Sequence, residues 1–306
     1  HEYFHSWNVE RIRPAALEPF DFSQVNMSGE LWFAEGFTSY YTNLILERAG
    51  VITTDDYIKS LNGTFNYVWN SPAHRYFNPI EMSEQAPFVD AASSIDPVNR
   101  ENTFISYYSY GSVLGLALDL KLRENNLNLD DFIKKMWENF GKNEVAYTVQ
   151  DIENTLSDYA GSEFANTFFA DFIYNSEMPD YKELLTTVGL SLSQDDTKPY
   201  LGASLRGSEK GLEITRNVSQ NTPAYKANLN MGDTITSIDG ATITTTDALE
   251  KIMESKKVGD KLELKFIRYG NDHSTELILS ADPTYSIMID EKASNKSVKN
   301  REKWLE

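Results

Sequence analysis

The 306-residue sequence has no cysteine, and none of its apolar runs approaches the roughly 18 residues of a membrane span. The absence of cysteine excludes disulfide bonds and thiolate metal ligands, although it is compatible with any compartment. Because the chain begins at His1 rather than at a methionine, the lack of a signal peptide carries no information about secretion. Hydrophobic residues nevertheless make up 41% of the chain, which is enough to build packed cores.

Basic residues are scarce in the first two-thirds of the chain. Residues 1–196 contain 12 Lys and Arg against 30 Asp and Glu, whereas residues 197–306 contain 16 of each class. So acidic a surface disfavours nucleic acids, whose phosphates require Lys and Arg. It could attract a cationic group such as the α-amine of a peptide, or serve only to keep the surface soluble.

The spacing of apolar residues predicts a mostly helical first part. Helices are expected over residues 36–49, 103–124 and 129–140, the last of them capped by Asn128. Strand-like alternation is scarce in this part. After a polar linker at 193–199, short β-rich segments alternate with turn signals around a single helix near Thr246–Ser255.

These patterns predict a multidomain α + β fold. We place a helical domain at residues 1–196, a β-rich domain at 197–283 and a polar C-terminal tail at 284–306. The tail is expected to cross back to the first domain with Trp304 as its anchor.

The first five residues, His1-Glu2-Tyr3-Phe4-His5, match the pattern H-E-x-x-H. On a helix, residues four apart share a face, so both imidazoles can reach one ion. Glu2 would project beside them, where it can accept a proton from water. The pattern is short, and an ordinary amphipathic helix with two histidines is the alternative.

A catalytic zinc ion requires three protein ligands and one open position. Without cysteine or a third nearby histidine, the remaining ligand should be a carboxylate on a neighbouring helix. The best candidate is Glu35, whose neighbours Trp32, Phe33 and Phe37 make an unpaired charge costly. The alternative is a glutamate that only stabilises the start of a helix.

These residues resemble the glycyl aminopeptidase family of PDZ-containing metallopeptidases, thermolysin-like relatives of the aminopeptidase N enzymes. The resemblance is carried by HEYFHSWNVERIRP (1–14), LWFAEGFTSYY (31–41), YYSYGSVLGLALDLKLR (107–123) and a later PDZ-like segment. It implies Zn²⁺ as the cofactor, with His1, His5 and Glu35 as its ligands. It also implies that Glu2 is the general base and later proton donor, and that peptides lose small N-terminal residues, Gly or Ala.

The resemblance further points to Tyr108. Related enzymes carry a Tyr-x-Lys-Gly pattern whose tyrosine hydroxyl stabilises the oxyanion. Here the match is Tyr108-Ser109-Tyr110-Gly111, with Tyr110 in place of lysine and Tyr107 as an adjacent competitor. The alternative is a tyrosine cluster that only packs at the start of a helix.

Two departures from the family pattern matter. Ser39 stands where thermolysin-like relatives have an aspartate that orients a zinc-binding histidine, so the orienting partner is left open. The family also has a large region before H-E-x-x-H, and His1 is the first residue here. Because chain ends fray, we expect this chain to bind zinc weakly or in altered geometry and to cleave peptides poorly or not at all. The α-amine of His1 could itself chelate the metal.

Residues 198–283 resemble a bacterial PDZ domain. Tyr200-Leu201-Gly202-Ala203 fits the loop whose main-chain N–H groups bind a peptide C-terminus. The helix with Leu249, Ile252 and Met253 would form the far wall of the groove. The alternative is a PDZ fold that docks on the first domain and binds no free ligand.

The sequence thus predicts a zinc aminopeptidase whose partners are peptide substrates and peptide C-termini, without nucleic acid or a membrane span. The alternatives are an endopeptidase, or a peptide-binding scaffold protein that acts through its PDZ groove. The sequence does not fix the compartment, but a bacterial periplasm or cell envelope is favoured over the cytoplasm.

Overall fold

The computed structural model describes residues 1–89 and 99–306. Its first part is helical, as predicted, and short 3-10 helices at Phe4–Ser6, Ala15–Leu17, Pro72–Arg75 and Gly141–Asn143 separate longer elements. The α-helices, in chain order, are α1 (Leu31–Ala34), α2 (Gly36–Arg48), α3 (Thr54–Trp69), α4 (Pro79–Glu84), α5 (Ala86–Val89), α6 (Arg100–Thr103), α7 (Tyr107–Glu124), α8 (Leu129–Asn139), α9 (Val149–Ala160), α10 (Ser162–Phe172) and α11 (Tyr181–Thr187). No helix of the described residues combines the length and apolar character needed to cross a membrane.

Side-chain caps set several helix starts. The Asn128 side chain accepts a hydrogen bond from the N–H of Asp131 (2.7 Å) and so begins α8 where the sequence predicts. Thr148 and Asp151 form a reciprocal capping box at the start of α9, with main-chain to side-chain distances of 2.9 and 3.3 Å. These helices are therefore fixed by local sequence.

Two glycines allow α7 to lie directly against the junction between α1 and α2. A β-carbon on Gly111 would lie 1.8 Å from the carbonyl oxygen of Trp32, and one on Gly36 would lie 2.3 Å from Cα of Gly111. No side chain fits at either position without moving the helices apart. This contact brings the first turn of α7 next to Glu35.

The second part is a β-rich domain with its own hydrophobic core. An antiparallel sheet has the strand order β3-β4-β5-β7-β8, and β6 pairs with β5. The helices of this part are α12 (Pro223–Lys226) and α13 (Thr246–Glu254). The strands are β2 (Pro199–Tyr200), β3 (Leu205–Ser208), β4 (Gly211–Ile214), β5 (Thr234–Ile238), β6 (Ala241–Thr242), β7 (Lys261–Arg268), β8 (Asn271–Ile278) and β9 (Ser280–Ala281), with β2 paired to β9.

The C-terminal segment is an ordered element of the first part rather than a polar tail. Strand β10 (Tyr285–Ile289) pairs antiparallel with β1 (Leu190–Gln194), and α14 (Asn295–Leu305) follows. Trp304 is fully buried in the first core, and its indole N–H donates to the hydroxyl of Tyr40 (2.9 Å). Trp304 and the partly buried Leu305 thus pack α14 against the first core.

Candidate metal centre and neighbouring sites

The H-E-x-x-H segment forms a tight helical turn rather than the regular helix that the sequence predicts. The main-chain N–H of Phe4 donates to the carbonyl of His1 (2.9 Å), and that of His5 donates to the same carbonyl (3.3 Å). The regular part is limited to the 3-10 helix at Phe4–Ser6. In this segment the main-chain N–H groups donate to carbonyls that lie three, four or five residues earlier, so no regular α-helix forms. The turn still brings the Nε2 atoms of His1 and His5 to 3.1 Å from each other.

Glu35 completes a three-residue cluster from the junction of α1 and α2. Its Oε2 atom lies 3.3 Å from Nε2 of His1 and 3.2 Å from Nε2 of His5. The fully buried Asn8 holds the junction, since its amide donates to the carbonyls of Phe33 (3.2 Å) and Ala34 (3.1 Å). Asn8 therefore connects the loop that follows His5 to the junction of α1 and α2, which carries Glu35.

Hydrogen bonds on the far side of each imidazole fix which nitrogen faces the cluster. Nδ1 of His5 donates to the carbonyl of Asn8 (2.7 Å). The Thr42 hydroxyl donates to the carbonyl of Thr38 (2.9 Å), so it can only accept from Nδ1 of His1, which lies 3.4 Å away. With Nδ1 protonated in both rings, each Nε2 presents a lone pair to the cluster.

The donor set fits a zinc ion. Ligand atoms of a tetrahedral zinc site are about 3.3 Å apart when each lies about 2.0–2.2 Å from the metal. The observed separations are 3.1, 3.2 and 3.3 Å, and two imidazole lone pairs and a carboxylate oxygen repel one another unless a proton or a metal ion lies among them. Three protein ligands also leave one position open. Within the described residues, this is the group of His, Asp and Glu whose ligand atoms all lie within 4.8 Å of one another.

The Glu35 carboxyl has a perturbed pKa. Burial raises the pKa above its ordinary value, whereas His5 and a hydrogen bond from Tyr108 act in the opposite direction. The charge of Glu2 adds to the rise, which places the exposed Glu2 side chain within electrostatic reach of the cluster. The predicted base therefore acts electrostatically on Glu35, one of the predicted ligands.

Tyr108 also lies at the cluster. Its ring centroid is 5.8 Å from that of His1, and its hydroxyl is hydrogen-bonded to Glu35. Tyr108 is 37% exposed, whereas Tyr107 and Tyr110 are buried in the first core. The geometry thus distinguishes Tyr108 from its neighbour Tyr107 as the phenol that can reach a bound molecule.

A pocket of about 300 Å³ opens beside His1 and Tyr108. Its walls come from α2, α3 and α7, and they combine hydroxyl groups with apolar groups: Ser60, Thr64, Ser112, Leu61, Phe65 and Leu116. No Asp, Glu, Lys or Arg of the described residues lines it. The pocket therefore fits an uncharged side chain.

The sequence alone did not identify the partners that orient the histidines. Ser39 lines the pocket, while the hydrogen bonds to the imidazoles come from the carbonyl of Asn8 and the hydroxyl of Thr42. Thr42 follows Glu35 by seven residues, two turns along the same helix face, and that spacing is the signal that could have suggested it.

The predicted peptide-binding loop of the second part connects β2 to β3. Gly202 has φ +89°, and a β-carbon there would lie 2.5 Å from Cβ of Thr222, so this turn requires glycine. Strand β3 is at the edge of the sheet, paired with β4 alone among the described strands. Leu249, Ile252 and Met253 of α13 pack partly buried against the same core. Edge strand and helix have the positions that strand addition of a peptide requires.

The fold and these sites define a protein with a helical peptidase-type domain followed by a PDZ domain. The family model of the M61 glycyl aminopeptidase matches residues 1–114, and the PDZ domain model matches residues 199–279. The resemblance predicted from the sequence is therefore confirmed: residues 1–114 match the M61 glycyl aminopeptidase family and residues 199–279 match the PDZ domain.

The fold of the whole chain is similar to that of one solved structure, and shorter parts of the chain match others. An aminopeptidase N family protein from Idiomarina loihiensis matches all of this chain with a TM-score of 0.87 and 28% identity. This chain spans 54% of the length of that relative. A serine endoprotease from Yersinia pestis matches 28% of the chain and 30% of its own (17% identity, TM-score 0.25). The HtrA3 PDZ domain bound to a phage-derived ligand matches 32% of the chain and 92% of its own (15% identity, TM-score 0.25). No curated protein matches the chain.

Proposed function

We propose that this chain carries the catalytic centre of a zinc-dependent aminopeptidase that releases small N-terminal residues, Gly or Ala, from peptides. The observation that supports this proposal most strongly is the convergence of three lone-pair-bearing atoms from His1, His5 and Glu35 within 3.1–3.3 Å of one another. Three such acceptors repel one another unless a proton or a metal ion lies among them, and a metal ion satisfies all three at once. The M61 match over residues 1–114 supports a peptidase as the context of that cation.

Each nearby side chain then has a role. When bound, zinc would supply Lewis-acid chemistry that polarises the scissile carbonyl. Glu2 would accept a proton from the attacking water and return it to the leaving amine. Tyr108, partly exposed beside His1, would donate a hydrogen bond to the oxygen that becomes negatively charged. In the structure its hydroxyl bonds to Glu35, so a rotation of the side chain would redirect it to substrate.

The metal assignment can be tested by titrating zinc into the apoprotein by calorimetry. We expect one ion per chain, with affinity lowered at least tenfold by Glu35→Gln, because that change removes the charged ligand. Glu10→Gln is the matched control, since Glu10 is exposed and lies outside the cluster. Equal zinc affinity in the wild type and Glu35→Gln would contradict the assignment.

The catalytic roles require a second measurement, made with the intact protein rather than with this chain alone. Glu2→Gln should bind zinc as the wild type does but lose peptide hydrolysis by at least a hundredfold, since the base is removed and the ligands remain. Tyr108→Phe should lower kcat more than it raises KM, because the hydroxyl acts on charge that develops in the transition state. An unchanged kcat in both variants would exclude these roles.

The requirement for a free N-terminus distinguishes an aminopeptidase from an endopeptidase. We expect peptides with a free α-amine to be cleaved and their N-acetylated counterparts to resist. The acidity of residues 1–196 supports this preference, since it attracts a cationic amine. Equal cleavage of both peptides would favour the endopeptidase.

We propose a second, separate activity for the PDZ domain, which is the binding of peptide C-termini between β3 and α13. The loop at Tyr200, Leu201, Gly202 and Ala203, at the open edge of the sheet, supports this activity. Binding of C-terminal peptides should persist in Glu2→Ala, and loss of binding in that variant would contradict an independent groove.

A further inference from the structure

A cleft between the two domains lies next to the candidate metal centre. It has a volume of about 540 Å³ and is lined by the end of α3, the segment before α7 and the loop after β4. Ser106, whose N–H lies 3.3 Å from the hydroxyl of Tyr67, lines the cleft two residues before Tyr108. On α3, Thr64 and Phe65 line the pocket at the metal centre, while the following Asn66 and Tyr67 line the cleft. The two cavities are therefore neighbours along the same helices.

Two arginines, Arg100 and Arg216, line this cleft, one from each domain. The chain has ten arginines, and the other eight each donate a hydrogen bond to a protein group. Among the described residues, neither Arg100 nor Arg216 has a side-chain hydrogen bond or a carboxylate within salt-bridge distance. Both of the chain's unpaired arginines thus lie in one cavity.

The Arg100 side chain is partly buried and packs against an aromatic ring. Its guanidinium lies over the ring of Phe104 at 5.2 Å, which fixes the plane of the fork. Its Nε atom is buried without a hydrogen-bond partner. A buried guanidinium N–H without an acceptor is costly, so an acceptor supplied by a bound molecule would relieve that cost.

The charged residues that line the cleft indicate the charge of the molecule that it binds. Among the described residues, two guanidinium groups and one carboxylate, that of Glu101, line the cleft, and together they carry a positive charge in a chain with a net charge of −18. Arginine forks match the geometry of a carboxylate and bind it with two parallel hydrogen bonds. The hydroxyl of Ser106 and the phenol of Tyr67 add polar groups beside the arginines.

We propose that this interdomain cleft binds the C-terminal carboxylate of a short peptide whose scissile bond lies at the cluster of His1, His5 and Glu35. The proposal rests on the proposed peptidase function. An extended peptide advances about 3.3 Å per residue, so a few residues can bridge two cavities that are lined by consecutive residues of α3 and by the start of α7. The site is distinct from the PDZ groove, which lies along β3. The cleft selects peptides by length, because longer chains carry their carboxylate past it.

The test measures binding without turnover. Alanine peptides of three to eight residues, each as free acid and as C-terminal amide, are titrated into the zinc-free chain by calorimetry. We expect the free acid of three- to five-residue peptides to bind about tenfold more tightly than the amide, and the part of this difference that depends on Arg100 and Arg216 to vanish at eight residues, where a remaining preference for the acid comes from the PDZ groove. Arg216→Gln and Arg100→Gln should each remove that part of the difference, and Arg216 is exposed, so its replacement spares the fold.

Arg206→Gln is the matched control. Arg206 is an exposed arginine on β3, beside the predicted PDZ groove and outside the cleft. Equal affinity of acid and amide, or a difference that is lost in Arg206→Gln and kept in both cleft variants, would overturn the proposal. So would inorganic phosphate that binds as tightly as the peptides, because the cleft would then be a general anion site. Failure of zinc binding in the titration described above would refute the peptidase while leaving the acid–amide difference intact.

Discussion

The contact between α7 and the α1–α2 junction gives the sharpest prediction, because the same substitution can be made where it fits and where it does not. At Gly111, a β-carbon would lie 1.8 Å from the carbonyl oxygen of Trp32. At Gly63, in the middle of α3, a β-carbon meets nothing within 4 Å. Both residues are helical, so any difference between the two alanine variants reports packing.

The magnitudes follow from this geometry. Alanine stabilises a helix by about 1 kcal/mol relative to glycine, so Gly63→Ala should raise the free energy of unfolding by up to that amount. At Gly111 the helices must move apart by about 1 Å or more, and overpacking of that kind costs about 1–3 kcal/mol or more. We therefore expect the two variants to differ by about 3 kcal/mol, with Gly111→Ala the less stable.

Urea unfolding followed by far-ultraviolet circular dichroism, which reports mainly on the helical first part, measures this difference. Because α7 carries Tyr108 and α2 follows Glu35, Gly111→Ala should also weaken zinc binding, while Gly63→Ala should leave it unchanged. If Gly111→Ala were as stable as Gly63→Ala and bound zinc equally well, the close helix contact would not position the site.

Three further predictions concern the partners of the site and the C-terminal helix. Thr42→Val should weaken zinc binding about tenfold by removing the acceptor for Nδ1 of His1, as calorimetry can measure. Trp304→Phe should lower the free energy of unfolding by about 2 kcal/mol, since it removes the indole hydrogen bond to Tyr40 and buried volume, as urea unfolding can measure. Burial raises the pKa of Asp119 in the folded state above its value in the unfolded chain, so protonation of Asp119 favours folding. This contribution to the free energy of unfolding is present at acidic pH and is lost as the pH rises through the folded-state pKa. The destabilisation caused by Asp119→Asn should therefore shrink between pH 4 and pH 7 in urea unfolding.

Each of these predictions has a control. Ser39→Ala should leave zinc affinity unchanged, and an equal loss in Ser39→Ala and Thr42→Val would show that neither hydroxyl acts on His1 specifically. Trp137, which is 36% exposed, gives the control Trp137→Phe, and an equal effect of both tryptophan changes would refute the anchoring role. A cost of Asp119→Asn that grows toward neutral pH would mean that the ionised form is favoured in the fold.

Some of the site was accessible from the sequence because it depends on local spacing. His1 and His5 are four residues apart, and even an irregular helical turn brings their Nε2 atoms to 3.1 Å. The capping boxes, the β-rich pattern and the glycine of the Tyr200–Ala203 loop are local in the same sense. Glu35 could be named as a candidate because a carboxylate among aromatic residues requires a partner.

The remaining features depend on contacts between residues far apart in the chain, and no local pattern encodes them. The orientation of His1 by Thr42, the choice of Tyr108 over Tyr107 and the close approach of Gly36 to Gly111 all follow from how α2 and α7 pack. The sequence by itself determined the turn that carries His1 and His5, the helical and β-rich parts and the resemblance to the family. Only the tertiary structure placed the carboxylate, the phenol and the arginine cleft around that turn, because packing of whole helices and domains sets those distances.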